Sequence, residues 1–132
     1  MSSYTLSRTL ELPYDATVTQ VRERLADQGF GVLTEIDVRA TMKNKLDVDV
    51  PAQVILGACR PQLAHRAMSI TPSLAALLPC NVVVREVAPG STVVEMIDPD
   101  TMVQLEDHPD LRAVATEARE RLVAALDALE PS

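Results

Sequence analysis

The stretch GACRPQLAHRAMSITPSLAALLPCN carries both cysteines of the chain, Cys59 and Cys80, with His65 between them and Asn81 just beyond. A thiolate is a nucleophile and a ligand for soft metals, so these residues are the first place to look for chemistry. Cys59 ends the apolar run QVILGAC and stands two residues before Pro61, the predicted first position of a helix. The free N–H groups at a helix start carry partial positive charge, which favours a thiolate beside them. Arg60 and Arg66 would add to that potential. The competing reading makes Cys59 a small buried hydrophobe in a tight strand-to-helix corner, which the small neighbours Gly57 and Ala58 also suit.

Cys80 follows Pro79 and opens a predicted strand. If one helix links the two thiols, they stand about 15 Å apart, the length of Pro61–Ile70 at about 1.5 Å per residue. If the chain breaks at Thr71-Pro72 and Ser73–Leu78 runs back, Cys80 returns toward Cys59. Both routes stay open, and a disulfide needs Cα atoms within about 7 Å. A helical wheel puts His65 on the flank of its helix beside Ser69, away from the apolar side formed by Ala64, Ala67 and Met68. Gaps of five and fourteen residues between Cys59, His65 and Cys80 do not match the tight ligand pairs of structural zinc. A soft site built from Cys59, Cys80 and either Met68 or Met102 suits monovalent copper, although methionine on a helix more often fills gaps.

Other polar groups read as structural. In EMIDPDTMVQLEDHPD the acids lack the glycine-centred spacing of a calcium loop. Asp98-Pro99 is expected to turn, and Asp107 or Asp110 to cap the last helix. Lys43 and Lys45 are expected to solubilise an exposed segment. There is no G-x-S-x-G, H-E-x-x-H, P-loop or G-x-G-x-x-G pattern.

The elements that must hold these residues follow from periodicity. YTLSRTLEL alternates as a strand, and DATVTQVRERLADQG is a helix with Asp15 or Thr17 at its start and Gly29 at its end. FGVLTEIDVRATM reads as a long strand, KNKLDVDVPA as a loop and QVILGAC as a buried strand. PQLAHRAMSI is a helix, and TPSLAALLP a second short helical segment. NVVVREVAPGSTVVEMIDP is a hairpin turning at Pro89-Gly90. HPDLRAVATEARERLVAALDALE is the last helix, with Glu117–Arg121 an i,i+4 pair. The order β-α-β-β-α-β-β-α predicts an α+β two-layer sandwich, helices packed on one face of a mostly antiparallel or mixed sheet.

The 132 residues fit a single domain spanning 1–132. One Phe, two Tyr and no Trp require an aliphatic core. A net charge of −7 argues against nucleic acid and anionic membranes as partners. No signal peptide or membrane span is evident, and with only two cysteines a cytoplasmic location with free thiols is expected.

LGACRPQLAHRAM, LLPCNVVVRE and VVEMIDPDTM, with VRATMKNKLDVDVPAQVILGAC before them, resemble the domain of unknown function 302 family, an uncharacterised bacterial family. The resemblance runs from about Leu6 to Leu129, and Arg60 departs from it where asparagine is expected. It implies a compact α+β domain and a homodimer, and no established activity. The expected function is therefore a small binding module with a thiol-lined site at Cys59, neighboured by Cys80, His65 and Asn81, for a small ligand or soft metal such as copper. The alternatives are a thiol-dependent enzyme or redox protein using Cys59, and a structural dimerisation domain whose thiols only pack.

Overall fold

The structure, a computed structural model, describes residues 3–131. Five strands form one antiparallel sheet: β1 (Thr5–Leu10), β2 (Gly31–Asp37), β3 (Gln53–Cys59), β4 (Cys80–Ala88) and β5 (Ser91–Ile97). Their spatial order is β1-β5-β4-β3-β2. The helices are α1 (Tyr14–Asp27), α2 (Val38–Leu46), α3 (Pro61–Ile70), α4 (Asp100–Leu105) and α5 (Pro109–Asp127), with a 3-10 segment at Pro72–Leu77. The α+β two-layer architecture expected from the sequence is present.

Strand alternation builds the core. Val54, Leu56 and Ala58 of β3, Val82 and Val84 of β4, and Val94 and Met96 of β5 are all buried on one face. Val21 and Leu25 of α1 and Leu122, Ala125 and Leu126 of α5 cover that face. Each fully buried Leu or Val contributes roughly 1.5–3 kcal/mol of apolar transfer. A second cluster unites Leu63 and Ala67 of α3, Leu74, Met102 of α4, and Leu111, Val114 and Ala118 of α5. Helix α5 thus belongs to both clusters and ties the cavity region described below to the sheet.

Two segments differ from the sequence reading. The second strand stops at Asp37, and Val38–Leu46 is helix where the sequence suggested continuing strand and then loop. The cause is local: the Asp37 side chain accepts a hydrogen bond from the Ala40 N–H at 2.9 Å, capping the helix. Arg, Ala, Met, Lys and Leu then favour helix. The unexpected helix α4 fills the connection after β5. Caps also differ. Pro13 precedes α1, and Thr17 donates to the Pro13 carbonyl at 2.9 Å instead of capping. At α5 the cap is His108, whose Nδ1 accepts from the Asp110 N–H at 3.1 Å.

Candidate thiol-lined cavity

The β3–α3 corner is sharp because Arg60 is extended and Pro61 opens the helix at once. The Arg60 carbonyl accepts from both Leu63 and Ala64 N–H groups at 3.0 Å, which closes the first turn. Ala58 stands opposite Cys80 across the β3–β4 ladder, so Cys59 and Cys80 are near neighbours in space. The returning Pro72–Leu77 segment brings the chain back, which is the second of the two routes considered from sequence. Both thiols are free.

Cys59, Cys80 and Met102 line one cavity of about 30 Å³, together with Phe30, Leu63 and Arg60 at its rim. Cys80 and Met102 are buried, and Cys59 is half-buried. The electrostatics run against an activated nucleophile. Burial pushes the Cys59 thiol up from its ordinary value. Burial, with a smaller contribution from Cys59, pushes the Cys80 thiol up to about 11. Loss of water thus acts on both sulfurs against the thiolate that the helix start was expected to favour.

Above the cavity a cationic cluster converges on one carboxylate. Glu117 of α5 meets Arg121 at 3.2 Å, Arg60 at 3.3 Å and Arg66 at 3.4 Å. The Arg121 hydrogen bond above all, with the charges of all three arginines, holds the Glu117 carboxyl below the usual range. Arg60 is mostly enclosed, and its Nε is buried without a hydrogen-bond partner. The i,i+4 pair Glu117–Arg121 was visible in the sequence. Its recruitment of Arg60 from the β3–α3 corner and Arg66 from α3 was not.

The other residues singled out in the sequence lie elsewhere. His65 is exposed on the outer side of α3, in a shallow groove with Arg66, Ser69 and Asp110. Its flank position was anticipated, and it does not reach the cavity. Asn81 is exposed on the opposite face of the sheet from Cys80, because adjacent strand residues point to opposite sides. Of the two methionines weighed, Met102 enters the cavity and Met68 stays 39% exposed. Phe30 was missed, though its place directly after Gly29 at the end of α1 marks it as a residue turned inward. Lys43 pairs with Asp47 at 2.9 Å and Asp49 at 3.5 Å on the surface. Among the described residues no three His, Cys, Asp or Glu side chains come together to hold a metal. No described helix is long and apolar enough to cross a membrane.

These features define a small antiparallel α+β domain with an aliphatic core and a small cavity bordered by both cysteines at the end of strand β3, beside the central strand β4. The chain belongs to the family described as Domain of unknown function DUF302, whose sequence model matches residues 6–129. It is similar to the uncharacterized conserved protein DUF302 from Bacillus stearothermophilus, with a TM-score of 0.86 and 29% identity over 96% of this chain and 98% of that one. It is also 36% identical over 69 residues, 52% of its length, to the hybrid PKS-NRPS synthetase phm1 of a Pyrenochaetopsis species, of which it spans only 2%.

Proposed function

We propose that this domain is a small binding module whose site is the cavity shared by Cys59, Cys80 and Met102. The observation that carries this reading is the meeting of two free thiols, from the end of β3 and the start of β4, at one apolar hollow. The raised thiols favour holding a guest over attacking one, because the nucleophilic form is scarce at neutral pH. A thiol enzyme is the weaker reading for that reason. His65 and Asn81 take no part in this site.

Access can be tested with thiol reagents of graded size. A methanethiosulfonate bearing only a methyl group is expected to modify Cys59 in the folded protein, while a bulky maleimide reacts far more slowly. Ala67→Leu, which fills the hollow, is expected to slow the small reagent. The reading falls if Cys59 reacts with neither reagent until the protein unfolds.

A second reading concerns the uncovered side of the sheet, and it favours a homodimer. Ile36, Ile55 and Val83 lie side by side across β2, β3 and β4 on the face that no core helix covers. Val93 and Ile97 of β5 share it. The central charges there are one cation and one anion, Arg85 and Glu95, paired at 2.8 Å. A chain of net charge −7 repels its own copy, yet this face is locally neutral and apolar. A second copy of the same chain is the occupant that such a self-complementary face suits.

A further inference from the structure

We infer that the arginines around Glu117 form an anion site, independent of the hollow beside them, and that it takes a phosphate group, either free phosphate or the head of a small phosphate monoester. Geometry comes first. Arg60 Nη1 and Arg121 Nε both donate to one Glu117 oxygen, Oε2, at 3.3 and 3.2 Å. Arg66 Nη1 donates to the other, Oε1, at 3.4 Å. Three guanidinium charges therefore share one carboxylate, and among the described residues none of the three pairs with another acid. Other arginines are matched: Arg22, Arg85 and Arg112 each hold a carboxylate, and Arg24 and Arg119 each hold two. The Glu117 cluster is left with two positive charges in excess, in a chain whose net charge is −7.

That excess selects the guest. A phosphate monoester carries a charge of about −1.5 to −2 at neutral pH and so matches it, whereas a single carboxylate does not. Guanidinium groups also present paired N–H donors that fit phosphate oxygens two at a time. Arg66 and Arg121 each commit one nitrogen to Glu117, and their side chains are 50% and 35% exposed, so their remaining donors face a guest from solvent. Arg60, only 17% exposed and packed against Gly29, adds charge from behind. Nucleic acid and anionic bilayers meet the acidic remainder of the chain and are repelled. A small guest lies within one screening length of the cluster and feels mainly its local excess. Arg66 also lines the groove of about 390 Å³ that holds His65, Ser69, Ile70 and Asp110, a volume in the range of organic-ligand sites. The Asp110 carboxylate accepts from hydroxyls and repels a second anion, so the body of an ester seated there is uncharged and hydroxylated.

The test is calorimetric titration of the full chain with inorganic phosphate and, separately, with glycerol phosphate. One site per chain is expected, with affinity falling as salt is added. Arg66→Gln and Arg121→Gln are each expected to weaken binding roughly ten- to a hundredfold, the scale of a hydrogen bond to a charged group, with thermal midpoints close to wild type. Arg112→Gln, on the same helix but paired with Asp107, should leave affinity unchanged. Glu117→Gln keeps an acceptor for the arginines and removes the opposing charge, so it should tighten phosphate binding several-fold, a gain that a purely structural ion-pair network does not give. Tighter binding of glycerol phosphate than of phosphate assigns the groove to the body of an ester, and equal affinities assign the site to free phosphate. Binding of neither anion, or affinities indifferent to both Arg66→Gln and Arg121→Gln, overturns the inference.

Discussion

Arg60 lies against the bare backbone of Gly29: a Cβ built there would sit 2.9 Å from the Arg60 Nε and 3.6 Å from its Cδ. Gly29 also ends α1 with φ +83°, a left-handed conformation in which most residues are strained. Gly29→Ala is therefore expected to cost about 1–2 kcal/mol, chiefly from backbone strain, since the end of an arginine can move. Gly29→Asn tolerates the backbone better and still displaces Arg60. Both variants should speed methanethiosulfonate labelling of Cys59 several-fold, while only Gly29→Ala should markedly lower the thermal midpoint.

Gly57, buried in β3, is constrained differently. A Cβ there would collide with the Thr34 side chain and lie 2.7 Å from Cγ of Pro79. Threonine can rotate away, but a proline ring held in the strand approach cannot. Gly57→Ala is expected to destabilise the fold by about 1–3 kcal/mol by overpacking. Adding Thr34→Ala should recover only part of that loss in denaturant titration, because Pro79 remains.

The sheet's outer face supplies a pH signature. Glu95 accepts from the Thr5 hydroxyl at 2.6 Å and from Arg85 at 2.8 Å. The Thr5 hydrogen bond first, then Arg85, holds its carboxyl below the ordinary 4.5. A carboxylate lowered in the folded state adds stability above its unfolded value and loses it as pH falls through the folded one. Wild-type stability should therefore decline below about pH 4.5. Glu95→Gln should be less stable than wild type at pH 7, with the difference shrinking in acid. Equal slopes for the two proteins between pH 5 and 3 would show that Glu95 makes no such contribution.

How much of this was legible in the sequence depended on whether the cause was local. Period-two alternation in β3 to β5 and the Pro-Gly turn specified the central sheet, because one buried face imposes that pattern. The α5 stripe from Leu111 to Leu129 was equally plain. Helix α2 was not. It buries no residue, so it carries no core stripe, and its start hangs on one Asp37 cap. At the candidate site, Cys59 was found from its place between strand and helix. Two readings of its thiol stayed open there, activated by the helix start or packed in a tight corner, because its enclosure beside Phe30, Leu63 and Met102, which raises the thiol, is a tertiary fact. The approach of Cys80 was left open for the same reason: only the path of Pro72–Leu77 decides it.

The most consequential surface prediction follows from the row Ile36–Ile55–Val83. Ile36 is 47% exposed at the edge strand, and its two neighbours are half-buried on the face away from the core. A β2 edge with Leu33 66% exposed at a bulge leaves further apolar area at the same margin of the sheet. Covering such a face with a twin removes this area from water at about 25 cal/mol per Å². The wild type is expected to sediment as a dimer, and Val83→Lys as a monomer. Val83 points away from the core, so far-ultraviolet dichroism of the variant should match the wild type. Like charges then oppose each other across the two-fold, which a single lysine per chain achieves without touching Leu56 or Val84. Arg85→Gln, which breaks the local neutrality and leaves the apolar row intact, should weaken the dimer less than Val83→Lys does. A wild type that stays monomeric at all concentrations, or a Val83→Lys protein that still dimerises, would remove this face as the contact.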